Sequence, residues 1–231
     1  MAHVSHRDVT VGHRMFADRR EAGQLLGRAL IHHAGTNAIV LGLPRGGVPV
    51  AAEVARVLDA SLDVWVVRKL GVPSQPELGM GAIAEGPAAV LDRSIMQALG
   101  ISQADLVEVA HREMDEVHRR VELYRGARPL PDLRDQTVIL VDDGIATGGT
   151  MRAAIRAVKK LRPSHLVVAV PVATPSTIES LADDADEVVC LATPDNLYAI
   201  GLWYEDFRQV PDAQVVRLLR EARQWRVVRS S

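Results

Sequence analysis

Val138–Thr150 reads VILVDDGIATGGT: an apolar run, two adjacent carboxylates, then a glycine-containing loop. With Thr137 in front, the apolar residues predict a buried strand over Thr137–Val141. The stretch beyond Thr150 predicts a helix to about Leu161, with Met151, Ala154, Ile155, Val158 and Leu161 on its buried face. Arg152, Arg156, Lys159 and Lys160 fall on the opposite side and read as a solvated face. Working outward, the same alternation recurs. Arg19–His32 predicts a helix and Ala38–Leu43 a strand that breaks at Pro44-Arg45-Gly46-Gly47. A helix over about Val48–Leu58 and a strand over Leu62–Val67 follow. Downstream come a strand at His165–Val172, a helix opened by Pro175 at its favoured first position, a strand at Glu187–Leu191 and a closing helix over about Asp212–Arg223. Apolar runs alternating with amphipathic stretches predict an α/β fold: an open, parallel, twisted sheet with helices on both faces.

Two stretches interrupt the alternation. Leu70–Gly86 carries four glycines and two prolines and reads as a mobile loop, with a short strand at Gly81–Ala84. Ser102 opens a long helix ending near Gly126, and Ser102-Gln103-Ala104-Asp105 resembles a capping box with Asp in place of Glu.

Composition sets outer bounds. A chain of 231 residues, 48% hydrophobic and 24% charged, is ordinary for one large globular domain or for one domain plus a small appendage. The single cysteine, Cys190, excludes an intramolecular disulfide, sits in an apolar run and reads as a buried thiol; a reducing, cytoplasmic setting fits. The first residues lack the apolar core of a signal peptide, and no stretch approaches the roughly 20 apolar residues that span a bilayer. A formal net charge of -2 argues against a nucleic-acid partner. The eight histidines look scattered: neither His32-His33 nor His111/His118 has metal-ligand spacing.

The central motif carries the chemistry. In an open parallel sheet, ligands bind at the carboxyl ends of the strands. Ala146, Thr147, Gly148, Gly149 and Thr150 lead into a helix N-terminus, where unpaired N–H groups and the helix dipole favour an anion. Phosphate is the natural guest. Asp142 and Asp143 repel an anion and need a purpose of their own: to hold Mg²⁺, or to accept hydrogen bonds from a vicinal diol. A ribose 5-phosphate meets both demands. The plainer alternative is a solvated strand end with a helix cap. A lysine-bearing phosphate loop is absent, because Gly-Lys-Ser/Thr occurs nowhere.

VILVDDGIATGGT resembles the phosphoribosyl-pyrophosphate (PRPP) signature of the type I phosphoribosyltransferases. Gly42–Val50 (GLPRGGVPV) resembles that family's pyrophosphate loop, and Val67–Gly71 (VRKLG) the strand end before its flexible catalytic loop. The resemblance implies one phosphoribosyltransferase domain over residues 1–231, with a core at about 38–191, a catalytic loop at about 70–86 and a hood formed by about 192–211 with the N-terminal segment. It implies transfer of the phosphoribosyl group of PRPP to a nitrogenous base, a purine among the candidates, with Mg²⁺ as cofactor. A homodimer and a place in nucleotide salvage are implied on the same ground. Arg45, Arg68 and Lys69 would be catalytic through the pyrophosphate, with Gly46 and Gly47 completing its loop, where a strained or cis peptide is expected. Asp142 and Asp143 would hold the ribose hydroxyls, and Mg²⁺ through water; residues 146–150 would hold the 5-phosphate. Tyr198, Trp203 and Tyr204, in a segment with half of the eight aromatics, would stack the base or simply pack as a lid. Glu77 and Glu85, the only carboxylates of the 70–86 segment, are exposed residues or contacts to base or ribose. Hypoxanthine-guanine types place an acid where this chain has Ala146, so no general base is legible there. The competing reading is a regulator that senses PRPP or a nucleotide through the same fold.

Overall fold

The structure is a computed structural model that describes residues 15–85 and 89–229, without the side chains of residues 76, 77 and 226–229. The N-terminal stretch read above for targeting signals, Gly86 and the Glu77 side chain lie outside the described residues.

In chain order the elements are α1 (Arg19–Ala29), a 3₁₀ turn at Ile31–His33, β1 (Ile39–Gly42), α2 (Gly47–Leu58), β2 (Ser61–Val64), β3 (Val67–Val72), β4 (Gln75–Ala84), β5 (Ala89–Leu91), α3 (Arg93–Ala98) and α4 (Gln103–Arg125). Then follow β6 (Thr137–Val141), α5 (Gly149–Lys159), β7 (His165–Val172), α6 (Pro175–Ala182), β8 (Glu187–Ala192), a second 3₁₀ turn at Ile200–Trp203 and α7 (Asp212–Arg229). Five strands form one parallel sheet in the order β2-β1-β6-β7-β8. The α/β architecture with helices on both faces is therefore as read from the sequence.

Strand alternation divides the core. Leu41, Leu140, Val168 and Val188 face α5 and α6, whereas Val40, Ile139, Val167 and Val189 face α1 and α2. Strands covered on both faces need apolar residues at every position, hence runs such as TVILV and LVVAV. The capping box of α4 is present: Ser102 N donates to Asp105 Oδ2, and Asp105 N donates to Ser102 Oγ, both at 3.1 Å.

The structure corrects the reading of residues 62–91. The strand expected to run through Val67 stops at Val64; Trp65 and Val66 are buried as the chain leaves the main sheet. The short strand read at Gly81–Ala84 is the end of β4, but the residues before it, read as a mobile loop, mostly belong to the same separate antiparallel sheet, β3-β4-β5. Gly81 serves close approach: a Cβ there would lie 2.4 Å from the Val90 carbonyl oxygen across the strand pair.

Glu85 is neither exposed nor near a ligand cleft. It is buried with Asp63 and Arg125 in a charged trio. The Arg125 guanidinium donates to Asp63 Oδ1 at 3.2 Å, to Glu85 Oε1 at 3.1 Å and to the Val64 carbonyl at 2.9 Å, and pairs with Glu85 Oε2 as well. The trio joins the last turn of α4 to the edge of the main sheet and to the end of β4. Arg125→Met would strand two buried carboxylates, so a loss of about 3–5 kcal/mol is expected in urea unfolding. A loss below about 1 kcal/mol would show that the trio is not a structural joint.

Candidate active site

β1 and β6 are neighbours and end level, with Gly42 paired to Val141. The loops that follow them leave the same sheet edge side by side. A Cβ on Gly46 would sit 2.0 Å from Asp143 Oδ2, and one on Gly47 2.6 Å from the Val141 carbonyl oxygen. The glycine pair is what lets the first loop lie against the acid pair. The Pro44–Arg45 peptide is cis, in the loop where such a bond was expected.

The second loop opens a cavity of about 250 Å³ lined by residues 142–151 and by Ile200. Gly148 takes φ 76° and precedes the first turn of α5. Ala146, Thr147, Gly149 and Thr150 are exposed to this space. The loop is braced from behind: Thr177 Oγ1 donates to the Ala146 carbonyl at 3.1 Å, and Arg152 donates to the Thr147 carbonyl at 2.7 Å and to the Ser180 hydroxyl. Arg152, read as part of a solvated face, is thus a brace of the loop. With carbonyls held at its back, the helix start presents amides and two threonines to the cavity.

The two acids differ. Asp143 is buried and pairs with Arg19, whose Nε donates to its Oδ2 at 2.8 Å. Asp142 remains partly open and accepts from the backbone N–H of Asp143 at 2.9 Å. Burial, and then the Asp143 charge, push the Asp142 carboxyl well above the ordinary range. Asp143 is also raised by burial, with Arg19 opposing. A hard dication with oxygen ligands would relieve this repulsion, and Asp142 is the acid with an open edge, so the donor set fits Mg²⁺.

Beside the acid pair lie Phe16, Arg19 and residues 200–210, part of the segment read as a hood. Phe16 bridges to Tyr204, and Arg19 donates to the Arg208 carbonyl at 2.9 Å with its guanidinium 3.8 Å from the Phe207 ring centroid. A second cavity, about 460 Å³, is bounded by Arg45, Asp143, Ile200, Phe207, Gln209 and Val210 among others. The Arg45 side chain has no ion-pair or hydrogen-bond partner among the described residues.

The aromatic candidates are not in that space. Tyr198 is 89% exposed. Trp203 packs against the core beside α1 and α2. Tyr204 is buried, and its hydroxyl donates to the Asp143 carbonyl at 2.6 Å, so it supports the acid pair rather than offering a stacking face. Aromatic content marked the hood, but only the path of its 3₁₀ turn decides which side chains look into the cleft. Ile200 and Phe207 do; the sequence reading counted Phe207 in the aromatic cluster without naming it a candidate, and passed over Ile200. It also missed Arg19 and Thr177, which lie 124 and 31 residues from their partners.

Arg68 and Lys69 part company because neighbours on a strand point to opposite faces. Arg68 turns to α4 and pairs with Glu113 at 2.8 Å. Lys69 lines a cavity of about 420 Å³ with Thr147, Gly149, Thr150, Arg152 and Arg156. Of the pair, Lys69 is therefore the one that lines the cavity beside residues 147–150. Arg68→Ala is expected to cost at most about 1 kcal/mol, its ion pair being partly exposed, and to leave turnover within about twofold. Lys69→Ala should slow turnover about tenfold or more, because it removes a cation beside the anion loop. Equal rate losses in the two variants would refute this division.

Fold and site together define a class: an α/β protein in which adjacent central strands end in an acid pair, an anion-ready helix start and a glycine-tight second loop. Sequence comparison agrees. A family model described as the phosphoribosyl transferase domain matches residues 19–205, and the chain belongs to that family. It is 44% identical over 209 residues to "Putative phosphoribosyl transferase Rv0571c" of Mycobacterium tuberculosis (strain ATCC 25618 / H37Rv), covering 90% of this chain and 47% of that protein. A protein of the CDC 1551 / Oshkosh strain, MT0597, matches to the same extent. The chain thus spans about half the length of the curated relatives it matches. Among solved structures, TT1426 from Thermus thermophilus is 45% identical with a TM-score of 0.80, over 90% of this chain and 98% of that one. No described helix is long and apolar enough to cross a membrane.

Proposed function

We propose that the chain transfers the 5-phosphoribosyl group of PRPP to a nitrogenous nucleophile and releases pyrophosphate. One observation carries this reading: the acid pair, the start of α5 and the Arg45 loop border adjoining cavities that share Asp143 and Ile200. The 5-phosphate accepts from the amides and hydroxyls of residues 147–150, and the ribose diol donates to Asp142, which Asp143 backs. In this pose C1 faces the Pro44–Gly47 loop. The bond from C1 to the pyrophosphate oxygen breaks, its electron pair leaving with pyrophosphate, and a nitrogen lone pair forms the new bond to C1. Charge growing on pyrophosphate is met by Arg45 and by Lys69. Mg²⁺, when bound through Asp142, supplies further charge neutralisation to the ribose and pyrophosphate oxygens. The nucleophile enters beneath the hood, between Ile200 and Phe207. Ala146 offers it no base, which favours a nucleophile that is already deprotonated or readily becomes so.

The test is pyrophosphate release from PRPP and Mg²⁺ with a panel of purine, pyrimidine and pyridine bases. Base-dependent release with formation of a nucleotide supports the transferase. PRPP binding with no release across the panel would instead favour a sensor built on the same site.

A further inference from the structure

The end of the sheet opposite the cleft gathers side chains the proposed reaction does not use. His32 and His33 lie in the 3₁₀ turn after α1, His165 begins β7 and Glu187 begins β8. His33 Nε2 is 2.8 Å from Glu187 Oε2, His32 Nε2 is 3.1 Å from Oε1, and His165 Nε2 is 3.7 Å from Oε2. One ligand atom from each of His32, His33 and Glu187 falls within 4.8 Å of the others. Tetrahedral coordination with bonds of about 2.0–2.1 Å puts ligand atoms about 3.4 Å apart. Small side-chain rotations would therefore admit an ion.

We propose that His32, His33 and Glu187 form a site for one divalent transition-metal ion of the zinc class, with the fourth position open beside His165. Two imidazoles and one carboxylate suit a borderline ion better than Mg²⁺ or Ca²⁺, which prefer all-oxygen shells. Burial gives the site a fixed wall, since His33 and Glu187 are 8% and 9% exposed. The His32 side chain is 41% exposed and leaves an entry path. Sequence spacing could not reveal the set. Adjacent histidines diverge in a regular helix, and here the turn brings the two rings to 4.2 Å between centroids. The carboxylate comes from 154 residues further along the chain.

β7 spans eight residues, so at about 3.3 Å per residue the site lies roughly 20 Å from the cleft. The ion takes no part in the transfer. It fastens the end of α1 to the first residue of β8, and its effect is on stability.

The experiment uses the chelator-treated full chain titrated with Zn²⁺ alone by calorimetry and with Co²⁺ alone by visible absorption. One equivalent should bind, with a tetrahedral-type Co²⁺ spectrum and a melting temperature that rises with free Zn²⁺. His32→Ala, an exposed change that keeps the fold, should weaken binding at least about 100-fold. Loss of a residue that only orients a ligand already costs about 10- to 100-fold. Glu187→Gln should do the same, and if that variant unfolds, His32→Ala still decides. Absence of stoichiometric binding overturns the proposal. So does binding that both variants leave unchanged, since the ion would then sit on other side chains.

Discussion

Asp142→Asn is expected to raise the melting temperature of the ligand-free protein and to weaken PRPP binding by about 10- to 150-fold. Two carboxylates adjoin in a cleft that disfavours charge, and the Asp142 carboxyl is pushed well upward as a result. Asparagine keeps an oxygen that can accept from the Asp143 N–H, now 2.9 Å away, but carries no charge. Removing such functional strain commonly gains about 0.5–2 kcal/mol, and at this chain length each kcal/mol moves the midpoint by about 2–4 °C. The affinity loss follows from one hydrogen bond to a charged acceptor, about 1.5–3 kcal/mol. The pH sign is set by the raised folded-state pKa values of both acids. The folded protein binds more protons than the unfolded chain between the ordinary carboxylate pKa and the raised one. The penalty is therefore fully present above the raised value and fades as pH falls through it. Below the ordinary value it is gone. The stability gap between Asp142→Asn and the parent should narrow as the buffer is taken from neutral toward about pH 4. Calorimetric affinity equal to that of the parent would remove Asp142 from the substrate.

Arg45→Ala should lower kcat about 10²- to 10³-fold, the effect typical of losing one preorganised donor to developing charge. Its melting temperature should stay within about 2 °C of the parent. Arg45 is half-buried at the cleft and has no ion-pair partner to abandon among the described residues. A variant with parental turnover, or one that loses activity only by unfolding, would take the leaving-group role from Arg45. Contrast with Arg68→Ala sharpens the result: Arg45 lines the cavity beside Asp143, whereas Arg68 turns to Glu113 of α4.

That contrast shows where the sequence was informative. Strands buried on both faces have no freedom in composition, so TVILV and HLVVAVPV announced themselves, as did the Ser102 cap. The order of strand, acids, glycine loop and helix is local, because it is built from consecutive residues of one segment. The front half of the segment 70–86 misled, because glycine-rich composition fits a loose loop and a tightly paired hairpin equally well. Tyr204 misled for a related reason: an aromatic side chain is as useful beneath a binding site as in it. Residue type does not say which face it turns.

Local order of residues by itself determined the parallel α/β frame, the glycine loop that opens α5 and the acid pair, because each depends on neighbours within about a dozen positions. Only tertiary structure decided that Arg19 guards Asp143, that Lys69 rather than Arg68 approaches the anion loop, and that two adjacent histidines meet Glu187. Those are contacts between distant segments. Their geometry is set by strand order and side-chain direction, which no window of sequence contains.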